Sequence, residues 1–266
     1  TSASPSPNDP RSDALARLTP FGWNGGLAFI LALLAASFFL AGYFVIYWRN
    51  ADMDLVVIYN ALVMNDGGAQ AYNDHPAYLT IVSLKLWFQL LHHIGLLTAW
   101  KLSSLPPASD VPAFDTAMTE AVRAGRVLAG LISALFVAVF AVFMRLIVRD
   151  WRIALLATFA FAFSGGVAVH MRILRTEMIA ACFVIFAFMI MIVVAQRASA
   201  WRPLALMAAA VLCVLGMENK VQVILLIAAL PVIALPFGTD TGASVGFWDN
   251  GCRAWLTTVL AAIVAA

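Results

Sequence analysis

Charge is what this sequence has least of. Only 11% of its 266 residues are Asp, Glu, Lys or Arg, against 63% hydrophobic, and its mean hydropathy is +0.92. A soluble domain cannot hide that much apolar surface, so lipid is the expected solvent for most of the chain. No block of basic residues occurs and the net charge is only +2, which argues against a nucleic-acid surface. Cysteine is equally sparse: Cys182 and Cys213 lie in apolar runs and Cys252 in a polar stretch, without metal-type spacing, so all three are expected to be packing residues. The first apolar run closes on Tyr47-Trp48-Arg49 rather than on the small residues of a cleavage site, so it is expected to remain as an anchor instead of leaving as a signal peptide.

What is present is a series of apolar runs. Residues 1 to 20 are polar and rich in Pro and Ser, a mobile tail by composition. Residues 21 to 266 are expected to form an all-α, multi-pass transmembrane bundle, with runs at roughly 27–48, 126–148, 153–170, 176–196, 203–217 and 221–237. Ala254 to Ala266 is apolar but far shorter than the roughly 20 residues a span needs, so the chain is expected to stop partway through a helix. Residues 76–100 are long enough to cross, yet Tyr78, Lys85, Gln89, His92 and His93 fall within an arc of about 100°, the pattern of an interfacial helix. Arg145, Arg149 and Arg152, then Arg197 and Arg202, mark two inner loops. They share a side with the N-terminal tail only if residues 49–125 form one long extracytoplasmic excursion.

In that topology acids and bases collect at the outer face. Asp52 and Asp54 follow the first span; in an extended segment they would point the same way, and a carboxylate there could take the proton of an attacking hydroxyl, although loop solubility and a helix cap explain them as well. Tyr72-Asn73-Asp74-His75-Pro76 is expected to open the interfacial helix with Pro at its first position, where free N–H groups and His75 suit a phosphate. His170-Met171-Arg172-Ile173-Leu174-Arg175-Thr176-Glu177 places two guanidiniums and a carboxylate in a short turn between apolar runs, where they hold a leaving phosphate or form an interfacial ion pair. Glu218-Asn219-Lys220 repeats the theme, either for phosphate or for snorkelling to headgroups. Ser164-Gly165-Gly166 permits close helix packing or a kink. The aromatic residues Tyr47, Trp48, Trp151 and Trp201 at span ends fit a membrane belt.

Taken in order, these parts resemble the GT-C superfamily of membrane glycosyltransferases, including protein O-mannosyltransferases and bacterial aminoarabinose transferases, over most of residues 27–237. The resemblance matches Asp52-Met53-Asp54 to the acidic motif that supplies the family's catalytic carboxylate, and Asp74-His75-Pro76 to the start of its juxtamembrane helix. Arg126 matches the basic residue leading the second span, Arg175-Thr176-Glu177 the outer Arg-acid turn, and Lys220 the Lys that opens a later span. It implies a polyprenyl-phosphate sugar as donor, an acceptor that the sequence does not identify, and transfer on the extracytoplasmic face of a membrane, the bacterial inner membrane by kinship. In this reading Asp52 or Asp54 is the base; His75, Arg126, Arg172, Arg175 and Lys220 hold the donor phosphate; Asp74, Glu177 and Glu218 orient them. A divalent cation, Mg or Mn, at Asp52 and Asp54 is permitted by two nearby carboxylates and not required by them. The acidic motif is Asp-x-Asp where the family more often has Asp-Glu, which leaves the identity of the base open. The alternatives are a non-catalytic subunit on the same scaffold within a larger membrane complex, and a transporter, against which stands the lack of charge near the centres of the spans after residue 126.

Overall fold

A computed structural model describes residues 22–46, 51–70, 77–196, 201–228 and 230, with backbone alone at 51–54, 195, 196 and 202. The described residues are helical and include no strand. Among the described residues nine α-helices follow in order: α1 Trp23–Phe38, α2 Ala51–Asn65, α3 Tyr78–His93, α4 Val111–Ile147, α5 Trp151–Ala162, α6 Gly165–His170, α7 Thr176–Gln196, α8 Arg202–Asn219 and the short α9 Ile224–Ile227. Three stretches of the described residues are long and apolar enough to cross a membrane: Trp23–Tyr43, Val111–Ile147 and Thr176–Val194.

The helix α4 sets the scale of the bundle. Its 37 residues make it about 55 Å long. Asp110 caps its start by accepting from the Ala113 amide, and Pro112 sits in the first turn where no N–H is needed. Between Arg126 and Arg145 every residue is uncharged, a stretch of about 27 Å that matches the roughly 30 Å hydrocarbon core. These two arginines therefore bracket a bilayer's thickness, and the first four turns of α4 rise beyond it. Arg145 ends the helix by donating to the Arg149 carbonyl at 2.7 Å, and Asp150 caps α5 through the Arg152 amide at 2.8 Å.

Two cores meet along α4. One joins Val57, Ile58 and Leu62 of α2 to Ile81, Leu84 and Phe88 of α3 and to Ala121, Val122 and Ala129 of α4. The other joins Ile30, Leu34 and Phe38 of α1 to Phe136 and Val137 of α4 and to Ile179, Cys182 and Phe186 of α7. Cys182 and Cys213 are free and buried, as packing residues should be. Where lipid surrounds helices, close van der Waals contact rather than burial from water holds them together, and α7 and α8 gain it at Gly216. A methyl group there would meet Val184 Cγ2 at 3.1 Å and the Ala180 carbonyl at 3.2 Å.

Several sequence expectations change. The stretch taken as extended at Asp52 and Asp54 is the first turn of α2, so the argument that residues two apart share a face fails. Within the proposed 49–125 excursion most described residues are helical, and the helix that carries Arg126 begins fifteen positions earlier, at Val111. Helix α3 starts at Tyr78 behind Ala77, whose φ of +46° is left-handed, rather than at Pro76. The run at 153–170 is broken after Ala162, and Ser164 caps α6 through the Val167 amide. Added methyls on Gly165 and Gly166 would touch no neighbouring helix, so this patch is a break and not a packing face. The apolar part of α8, Pro203–Asn219, is shorter than a full span, and the next run turns at Val221–Val223 before α9.

The polar stripe on α3 also has a different use. Gln89 donates to Asn65 Oδ1 at 2.8 Å, while Asn65 donates to the Trp100 and Lys85 carbonyls at 2.9 and 3.3 Å. His92 stacks on Trp100 with ring centres 4.8 Å apart. These contacts tie part of the stripe to α2 and to the segment before α4, while Tyr78 is 50% exposed, His92 and His93 are exposed, and beside them Leu86 and Leu90 lie 57% and 50% exposed. The face turned toward protein is the apolar one of Ile81, Leu84, Phe88 and Leu91.

Candidate functional site

The end of α1 organises the site. The residues that follow it, Phe39–Tyr43, form a π-turn, a wider coil whose Gly42 carbonyl accepts from the Val45 amide at 3.3 Å. Arg126, only 1% exposed, reaches from α4 to donate to the carbonyls of Val45 and Gly42, the latter at 3.5 Å. A guanidinium at the negative end of a helix offsets the exposed carbonyl dipoles. Arg123, one turn earlier on α4, stacks over Tyr43 and Phe44 at 5.5 and 5.9 Å. The spacing Arg123-x-x-Arg126 on one helical face was the signal available for Arg123, which the sequence reading left outside the site.

Arg172 completes this group from the turn between α6 and α7. Its Nη2 donates to Ser37 Oγ of α1 at 2.9 Å. Gly42 lets the turn come this close, because a Cβ there would stand 2.9 Å from Arg172 Cγ and 3.2 Å from Arg172 Cα. The buried Nε of Arg172 has no hydrogen-bond partner, and neither does the buried Nε of Arg175 three residues on. A buried guanidinium N–H without an acceptor is costly, so both point to a group that supplies one.

The remaining polar residues form a separate clamp. Lys220 Nζ lies 3.0 Å from Glu177 Oε1, the side chains 14% and 36% exposed. Lys220 is thus engaged by a carboxylate, and the pair was anticipated only as two members of one phosphate site. Beside it Asn219 is fully buried: its Oδ1 accepts from the Thr80 amide and hydroxyl, both at 3.0 Å, and its Nδ2 donates to the Thr176 carbonyl at 2.6 Å. Its own carbonyl accepts from the Ala77 amide at 3.2 Å. One side chain thereby fixes the starts of α3 and α7 against the end of α8. The sequence named the Glu218-Asn219-Lys220 triplet for its charges, and no sequence signal distinguishes a clamping Asn from a capping one.

The structure thus brings Arg126 and Arg172 together around Gly42 and joins Glu177 to Lys220. Glu218 is exposed on the last turn of α8, apart from that pair. Asp74 and His75 lie outside the described residues, as do the side chains of Asp52 and Asp54. Among the described residues no group of three His, Cys, Asp or Glu side chains could hold a metal, and the side chains of Asp52 and Asp54 lie outside them.

Next to the arginines lies an apolar groove of about 150 Å³ between α1 and α4, lined among others by Leu34, Phe38, Val127, Gly130 and Met171. Val127 and Met171 are the chain neighbours of Arg126 and Arg172, while the residues lining the groove itself are all uncharged. Its volume is below the roughly 300 Å³ at which pockets begin to hold a whole drug-sized ligand, which suits a stretch of hydrocarbon chain. Comparison of this chain with protein families, with curated proteins and with solved structures returns no match.

Proposed function

We propose that the protein is a membrane glycosyltransferase that takes its sugar from a polyprenyl-phosphate donor. The observation that carries this reading is the pairing of an apolar groove with the buried, unpartnered Nε–H of Arg172, whose chain neighbour Met171 lines that groove. A lipid phosphate has the complementary chemistry: a chain for the slot and anionic oxygens for the guanidiniums. On this reading the described spans belong to a multi-pass bundle, and the arginine end of α4 faces the extracytoplasmic side.

The chemistry follows from charge. As the bond between sugar and phosphate breaks, negative charge grows on the leaving phosphate, and preorganised guanidinium donors stabilise it more than they stabilise the donor itself. Asp52 or Asp54 accepts the proton of the acceptor hydroxyl as it attacks the anomeric carbon. Arg126 holds the end of α1 and shapes the slot, and the Glu177–Lys220 pair with Asn219 fixes the turn that carries Arg175. A transporter would need charged groups along a path through the bilayer, whereas α4 carries none between Arg126 and Arg145.

The test is transfer of label. The protein, with a radiolabelled polyprenyl-phosphate sugar and a membrane extract, should move label to an acceptor, and the Asp52→Asn, Asp54→Asn double variant should not. Full transfer by that double variant, or none by the unaltered protein across several donors, overturns the proposal.

A further inference from the structure

His170 closes α6 with its Nδ1 2.6 Å from the carbonyl of Gly166. A carbonyl only accepts, so Nδ1 carries the proton, and in the neutral ring Nε2 is left as an acceptor. That Nε2 is buried and has no partner, as is the Nε–H of Arg175. Both side chains line one small cavity of about 10 Å³, otherwise walled by Ala129, Ile132, Leu174, Met178 and Ile179. An orphaned acceptor and an orphaned donor therefore share a space the size of one water centre.

We propose that this cavity is a binding site for a single water, which accepts from Arg175 Nε–H, donates to His170 Nε2 and so makes His170 a positioning residue for Arg175. One molecule satisfies both groups, and no anion of phosphate size fits there. Pinned at Nε, the Arg175 fork keeps the two Nη nitrogens of its far edge for another ligand. The water site stands on geometry alone; its effect on a lipid phosphate rests on the function proposed above.

Two measurements separate these layers. In 15N-histidine-labelled protein, the His170 signal, assigned by its loss in His170→Phe, should show a neutral ring protonated at Nδ1. A high-resolution experimental map should show one water within hydrogen-bond distance of both nitrogens. A ring protonated at Nε2, or a dry cavity, overturns the site. With the site established, farnesyl phosphate serves as the probe for positioning. His170→Phe should weaken its binding about tenfold, as loss of one hydrogen bond to a charged group does, while His170→Gln, whose Oε1 can accept from the water, should stay within about threefold. Equal weakening by both variants overturns the positioning role. No binding of farnesyl phosphate by the unaltered protein overturns that role and the lipid-phosphate reading together, leaving the water site to the spectrum and the map.

Discussion

Replacing Asn219 with alanine should loosen three helices at once. The side chain makes three hydrogen bonds, from the Thr80 amide and hydroxyl and to the Thr176 carbonyl, all buried. At about 1 kcal/mol net for each bond the loss is about 3 kcal/mol, rising toward about 5 if the Thr80 amide, an orphan donor in the first turn of α3, stays dry and unpartnered. For a chain of this length, a few degrees per kcal/mol predicts a fall in melting temperature of about 10 °C. Cys182 and Cys213 are free and buried, so a thiol-reactive fluorophore added during a thermal ramp in detergent reports the unfolding directly. Asn219→Asp should be no milder, because a carboxylate cannot donate to Thr176 and carries a charge into a site with no exposure. A midpoint within about 2 °C of the unaltered protein for Asn219→Ala would refute the clamp, since that shift corresponds to less than one hydrogen bond.

Gly42→Ala should push Arg172 off Ser37, because the new methyl meets Arg172 backbone as well as its side chain, and lower farnesyl phosphate affinity about tenfold by titration calorimetry. Lys220→Met leaves Glu177 without its partner and should cost about 1 kcal/mol, the pair being partly exposed; the double variant with Glu177→Gln should recover most of it in a thermal-melt cycle. Ala77→Gly should stabilise by about 1 kcal/mol, seen as a melting point a few degrees higher, because glycine adopts φ of +46° without the Cβ penalty.

The sequence made the apolar helices legible because lipid leaves a strong compositional mark, and Trp23–Tyr43, Val111–Ile147 and Thr176–Val194 fall where the runs are. It misled where a pattern had two physical causes. The stripe of Lys85, Gln89, His92 and His93 looks the same whether water or protein satisfies it; Asn65 and Trp100, distant in sequence, take up Gln89 and stack on His92, while His92 and His93 stay exposed. The break after Ala162 was hidden because Ser164-Gly165-Gly166 serves packing and breaking equally, and the choice depends on which helix stands opposite. At the site, charge was legible and partnership was not. Arg126, Arg172, Glu177 and Lys220 stand out in so apolar a chain, but that two of them pair follows from the meeting of α7 with the end of α8, and that Arg126 turns to carbonyls follows from the meeting of α1 and α4.

That meeting explains why the arginines gather where they do. Arg126 stands at the end of the uncharged stretch of α4, where the two cores adjoin and where the carbonyls of Gly42 and Val45 come within its reach. A guanidinium deeper in the bilayer would cost a few kcal/mol, and one farther out would be hydrated and free to move. At this level it is held by backbone acceptors and its charge is only partly screened by water. Arg123 and Arg172 both reach the end of α1 and the residues just after it, so the local field there is positive. Packing accounts for Arg123 on its rings and for Arg126 on its carbonyls. It does not account for the buried Nε–H of Arg172, which the contact of Nη2 with Ser37 leaves without an acceptor.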